Sequence, residues 1–282
     1  MANQYNSIDY TGKNVVINGA ASGMGKCVKE LIQDLGGANI YAVDLKEIVD
    51  PNIKKYIPIN LLDPASIDAA VAELPDRVDY VFNTAAVAGE VYAGGTFTPA
   101  QVITINFVAI RRFVEGIIPK MPEGSGIVLT ASIAGNAWPT HVETYMPLVQ
   151  MSDWDDSVKY IDANVNDPTW MGNAKMNKAY TVSKECMIIY AKYRCAKLSE
   201  KKIRLNVLSP GGVSTPMHDD FNTAMGMKRG DVLQVMGIGR DATGEEMASA
   251  MLFLNSPLAD YISGVDLQGD YGFMASKMTG QI

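Results

Sequence analysis

The 282-residue sequence predicts an α/β fold, a doubly wound parallel sheet with helices on both faces. Three observations carry that expectation. Short, continuous runs of apolar and β-branched residues recur along the chain, as strands buried on both faces require. Stretches with helical spacing separate them, so consecutive strands are joined by βαβ crossovers. The first run ends in a glycine-rich turn that opens directly into a helix.

The elements follow in chain order. "NVVIN" at 14–18 is the first strand, and the turn "NGAASGMGK" places Gly19, Gly23 and Gly25 ahead of a helix at 25–35. Glycines there let the backbone close on a pyrophosphate, and the helix start supplies free N–H groups and the positive end of its dipole. The spacing is GxxxGxG. A second strand at 39–44 ends in Asp44, where a carboxylate can accept hydrogen bonds from an adenosine ribose. Leu45 follows, and no Lys or Arg interrupts "GAASGMG", which favours NAD over NADP. Further strands are expected at 55–59, 79–83, 126–132 and 203–209, with helices at 99–120 and 179–198. The whole describes one domain, 1–282, a Rossmann-type, three-layer α/β/α sandwich. One stretch resists it. Residues 136–173 are mixed, hold Trp138, Trp154 and Trp170, and carry a single helix signal, "SDWDDSVKYI", so they are expected to be an inserted segment.

Composition narrows the function. A net charge of −7 and a pI near 4.9 argue against nucleic acid or an anionic membrane surface, both of which need clustered Lys and Arg. Cys27, Cys186 and Cys195 are too few and scattered for a disulfide framework, and have no metal-ligand spacing with His141 and His218. The N-terminus has no signal pattern and no apolar run approaches a membrane span, so a cytoplasmic protein acting on a small molecule, with no metal, is expected.

The segment "AYTVSK" sets Tyr180 and Lys184 four residues apart at the start of a helix. At that spacing the two side chains share a face and can reach one small molecule. The interval also arises in ordinary helices, so the remaining motifs must decide.

Together, "TGKNVVINGAASGMG", "YTVSK", "SPGGVSTPM" and "YISGVDLQGDYG" resemble the short-chain dehydrogenases/reductases over nearly the whole chain. The resemblance implies that Ser132, Tyr180 and Lys184 form a catalytic triad, which Asn106 completes as a tetrad. It implies a cofactor set of Gly19, Ser22, Gly23, Met24, Gly25, Asp44, Leu45, Asn60, Leu61, Asn83, Thr84, Ala85, Tyr180, Lys184, Pro210, Gly211, Val213 and Thr215. Thr84 and Ala86 depart from the family's NNAG pattern, Asn18 stands for a common Thr, and Tyr271 interrupts the terminal DGG. Ser132 and Tyr180 lie unusually far apart, which makes 136–173 extra, as in a subgroup resembling bacterial 3α-hydroxysteroid dehydrogenase/carbonyl reductase. In the family the region at 213–240 borders the substrate. Met217, Met225, Met227 and Met236 there suit either a bulky apolar ligand or simple packing.

The chemistry expected is hydride exchange between NAD and a secondary alcohol or ketone. Tyr180 acts as the base, an adjacent Lys184 ammonium lowers its pKa, Ser132 holds the substrate oxygen, and Asn106 anchors a water for proton release. A hydroxysteroid or bile acid is the leading substrate. Another cyclic alcohol or dihydrodiol is the second reading, and a non-catalytic dinucleotide sensor the third. A homo-oligomer, dimer or tetramer, is expected, with the insertion obstructing a helix-to-helix interface and adding an apolar wall to the active site.

Overall fold

The computed structural model describes residues 8–89, 91–92, 95–172, 178–218 and 239–282. Seven strands form one sheet: β1 (Asn14–Asn18), β2 (Asn39–Asp44), β3 (Lys55–Pro58), β4 (Tyr80–Asn83), β7 (Gly126–Thr130), β8 (Arg204–Pro210) and β9 (Asp266–Gly269). Their order is β3-β2-β1-β4-β7-β8-β9 and every pairing is parallel. The short pair β5 (Val91–Tyr92) and β6 (Gly95–Thr96) forms a separate hairpin. β1 and β4 lie side by side at the centre, where the chain changes direction across the sheet, and their carboxyl ends open the crevice in which such folds bind ligands.

Both faces are covered because alternate strand residues feed two cores. Val15, Ile17 and Phe82 join the cluster beneath α1 (Gly23–Leu35) and the Gly244–Leu254 helix. Val16, Val81, Ile127 and Leu205 join the other, under α2 (Pro64–Ala72), α3 (Pro99–Ile103), α4 (Ile110–Ile117) and the helices that follow. No helix among the described residues is long and apolar enough to cross a membrane.

Several elements differ from the sequence expectation. The single helix expected at 99–120 is divided by a π-helical turn, Thr104–Ala109, which widens the backbone around Asn106. β9 is an additional strand, four residues long at a sheet edge and only half-buried, so it lacks the apolar run that marks the others. The inserted segment holds two helices rather than one, α5 (Val142–Gln150) and α6 (Trp154–Asn164). Pro147 inside α5 hides it from a propensity reading. Its last carbonyls are capped instead by a cation from another helix. The buried Arg111 guanidinium donates to the Leu148 carbonyl at 2.6 Å and to Ser157 Oγ of α6 at 2.9 Å.

Arg111 therefore pins both inserted helices onto α4. Leu148, Val149, Ile161 and Trp170 turn inward and join the main core, with α5 against α7 (Lys178–Ser199) and α6 against α3. The apolar residues of the insertion are spent on these helices. Among the described residues none from 136–172 lines the two cavities at the carboxyl end of the sheet, so the apolar wall expected there is not found. Asn173, Met225, Met227 and Met236, with most of 213–240, lie outside the described residues.

Candidate active site

The glycine turn is held by close approach. A Cβ at Gly25 would lie 2.1 Å from the Gly19 carbonyl oxygen, and one at Gly19, where φ is +87°, would lie 2.6 Å from Ala85 N. Neither position admits a side chain without moving backbone. Thr84, one of the departures from the family pattern, is used here: its hydroxyl donates to the carbonyls of Asn18 at 3.0 Å and Gly19 at 3.2 Å. Asn18 and Asn83 join β1 to β4 by an amide contact of 2.8 Å. Asp44 faces the same turn and accepts from Ala21 N and Lys46 N, each at 2.9 Å.

These groups open onto a groove lined by Gly19, Ser22, Gly23, Met24, Asp44, Leu45, Asn60, Leu61, Thr84, Ala85 and Thr215. A second cavity adjoins it, sharing Met24, Thr84, Thr215 and Met217 and adding Ser132, Tyr180, Lys184, Pro210, Gly211 and Val213. Gly25, Asn83 and Asn106 border neither; they act one step behind, in the tight turn, the sheet and the helix packing. Sequence reasoning passed over Lys46, Phe97, Ile105 and His218. Lys46 stands two residues after Asp44 and lines the groove, so the Asp44 end of the groove is not devoid of positive charge. His218 lines the second cavity and lies 3.4 Å from Asp241, a carboxylate that the β8 turn approaches through Gly212.

Ser132 ends the segment after β7, and Tyr180 and Lys184 occupy the first turns of α7. The Ser132 side chain hydrogen-bonds Tyr180, while Lys184 Nζ donates to the Thr130 carbonyl at 3.1 Å and lies 5.2 Å from the centre of the Tyr180 ring. Burial dominates both ionisable groups. It pushes the Tyr180 phenol up to about 12, against a smaller lowering by Ser132, and the Lys184 ammonium down to about 7. The depression of Tyr180 expected from Lys184 is thus not what this geometry gives. The ammonium sits over the ring, and desolvation of the two groups outweighs their attraction. Asn106 is clamped across Val87, accepting from its N–H at 2.8 Å and donating to its carbonyl at 3.0 Å, and it reaches Ser183 Oγ at 3.3 Å.

A groove that opens at a glycine turn and helix start and adjoins a tyrosine, a lysine and a serine is the layout of an alcohol-dehydrogenase-like oxidoreductase. Comparison with known proteins agrees. The family profile described as Enoyl-(Acyl carrier protein) reductase matches residues 169–274. Coniferyl-alcohol dehydrogenase of Pseudomonas sp. is 24% identical over 94% of this chain and 98% of its own. The 3-alpha-hydroxysteroid dehydrogenase/carbonyl reductase of Comamonas testosteroni is 22% identical over 93% and 96%. Among solved structures, the 3-alpha-hydroxysteroid dehydrogenase from Pseudomonas sp. B-0831 complexed with NADH superposes with a TM-score of 0.72 at 23% identity, covering 96% of this chain and 100% of that one. The chain is similar to the short-chain dehydrogenases/reductases, a family whose members bind a nicotinamide dinucleotide and act on small molecules.

Proposed function

We propose that the protein is an NAD-dependent oxidoreductase that interconverts a secondary alcohol and a ketone, with a hydroxysteroid or bile acid as its substrate. The observation that carries this reading is the cavity in which Ser132, Tyr180 and Lys184 converge at one end of the dinucleotide groove. At the other end Asp44 faces the glycine turn, where it would accept from ribose hydroxyls and repel a 2′-phosphate. NAD, when bound, supplies the hydride acceptor. Gly19, Gly23 and Thr215, which line the groove beside the start of α1, would hold its pyrophosphate, with Gly23 at φ +54° shaping the turn. Met217, shared by both cavities, and Phe97 and Ile105 beside it give an apolar lining suited to a fused-ring skeleton.

Ser132 would hold the substrate oxygen against the Tyr180 hydroxyl. Tyr180 exchanges the proton of that oxygen as hydride crosses to or from the adjacent carbon. With the phenol raised to about 12, its protonated form dominates at neutral pH and is ready to donate to a ketone. Alcohol oxidation needs the phenolate, so its rate should rise as the pH becomes alkaline.

NAD reduction, followed by near-ultraviolet absorbance with a panel of steroid, bile-acid and small cyclic alcohols, tests the reading. Turnover with a sterol or bile acid is expected, faster with NAD than with NADP at equal concentration. Asp44→Ala should narrow that preference, and a wild type that runs faster with NADP would refute the role of Asp44. Tyr180→Phe should retain dinucleotide binding and lose at least ~100-fold in turnover, the scale of general acid–base catalysis. Retained turnover would sink the catalytic assignment. The assembly proposed is a homodimer that leaves the α4–α7 face unused, because the insertion covers it. Light scattering checks this, and a tetramer would contradict it.

A further inference from the structure

Beside the catalytic cavity, on the neighbouring face of α7 that meets the insertion, lies a second ionisable cluster that the reaction outlined above does not use. Glu185 directly follows Lys184, yet its carboxylate points into the protein and only 1% of it is exposed. Its Oε2 meets His141 Nδ1 at 2.7 Å. His141 comes from the inserted segment, immediately ahead of α5, and its side chain is 27% exposed. The Tyr145 ring packs edge-on against that imidazole, but the Tyr145 hydroxyl donates to the Trp170 carbonyl at 2.9 Å. Glu185 Oε1 is left buried with no hydrogen-bond partner. His141 is therefore the main group that compensates this carboxylate, with a smaller contribution from the Tyr145 hydroxyl, and burial without the imidazole would cost several kcal/mol by general measure.

The contact sits where three pieces of the site meet. Gly135 closes the turn that begins at Ser132, and a Cβ there would lie 3.0 Å from the Lys184 carbonyl carbon and 3.1 Å from Glu185 N. The Ser132 turn thus rests on the backbone between Lys184 and Glu185. From the cavity side this stretch of α7 is held by Ser132 on Tyr180, Thr130 on Lys184 and Asn106 on Ser183. From the insertion side the turn is tied through Glu185, by His141 first and by the Tyr145 hydroxyl to a lesser degree.

We propose that the Glu185–His141 contact is a positioning pair for the reaction, through which the inserted segment fixes the turn of α7 that carries Lys184 and Tyr180. The proposal rests on the catalytic reading of those two residues. It gives the insertion a role in turnover without its lining the cavity. An ångström of misplacement far from the chemistry can cost on the order of a hundredfold in rate, so a partial loosening of this turn should register in kcat before it registers in binding.

The test compares the full-length wild type with Glu185→Ala and Glu185→Gln. Glu185→Ala should lower kcat on the best panel substrate by about tenfold while KM and the Kd for NADH stay within about twofold. Glu185→Gln should recover at least half of the wild-type kcat, because its amide oxygen can still accept from the imidazole. Amide hydrogen exchange of the NADH-bound protein supplies a readout independent of turnover. Residues 180–186 should exchange faster in Glu185→Ala, with 191–198 unchanged. A folded Glu185→Ala with wild-type kcat and exchange would overturn the proposal. A parallel decline in kcat, KM and NADH affinity, with faster exchange along the whole helix, would also overturn it, as the mark of a general structural role. If the wild type binds NADH and turns over nothing in the panel, the activity reading fails by itself, and the exchange of residues 180–186 still decides whether the pair fixes the turn.

Discussion

The glycine turn and the inserted segment both abut the catalytic end of the sheet, and they are built on opposite principles. In the turn, shape is imposed by backbone meeting backbone, as where Gly25 leaves room only for the Gly19 carbonyl. In the insertion, shape is imposed by side chains reaching across long sequence distances, Arg111 to the Leu148 carbonyl and Glu185 to His141. A site of the first kind constrains residue identity, because glycine alone tolerates the approach. One of the second kind constrains pairing, and any of several residue types could close it.

Substitution at the turn should produce the larger functional loss. Gly25→Ala would set a methyl group 2.1 Å from the Gly19 oxygen and 2.4 Å from Thr84 Oγ1, both parts of the dinucleotide groove. Relief requires backbone movement there, so NADH affinity should fall by about a hundredfold or more, on the order of 3 kcal/mol. Isothermal titration of the folded variant measures it. Near-normal affinity would show that the turn can yield and that the contrast drawn here is too sharp.

Legibility in the sequence follows the same division. The strands at 14–18, 39–44 and 79–83 are readable because both their faces are buried, and the turn at Gly19 and Gly25 because its close backbone approach admits few residue types. β9 is not, being short and half-exposed. Neither is α5, whose internal Pro147 weakens the helical signal and whose last carbonyls are capped by Arg111 from α4, far away in sequence. Lys46 and Phe97 escape for another reason. Their place in the groove is set by how loops fold over it, and nothing in their local sequence signals it.

The insertion should break differently from the turn. Arg111→Ala removes the guanidinium that holds the carbonyls of α5 and Ser157 of α6, and leaves those acceptors buried. Loss of charge-assisted hydrogen bonds of this kind should cost about 2–4 kcal/mol of stability. Because the groove is built elsewhere, NADH affinity should stay within about twofold of wild type. Urea unfolding and NADH titration of the same preparation report the two numbers. Equal losses in both would mean that the insertion and the groove are energetically one unit.

The smallest effect concerns Lys184, where the two regions meet. Burial holds its ammonium down to about 7, against 10.5 for the free side chain. Between those values an unfolded chain keeps a proton that the folded chain has shed. By linkage the folded state then gains stability as pH rises from about 7 toward about 10, and below about 7 both states are protonated and that gain vanishes. Lys184→Met cannot titrate, so it lacks the gain. The thermal midpoint of wild type minus that of Lys184→Met should therefore climb by a few degrees between about pH 6.5 and about pH 8, on the scale of roughly 2–4 °C per kcal/mol for a chain near this size. Taking the difference cancels the other titrating groups, including Glu185, which both proteins carry. A flat difference would show that Lys184 keeps its proton in the folded protein, held by Thr130 and the Tyr180 ring more strongly than burial opposes it. Lys184 would then reach the substrate as a cation at neutral pH, and the catalytic side of α7 would lean on charge as heavily as the Glu185 side does.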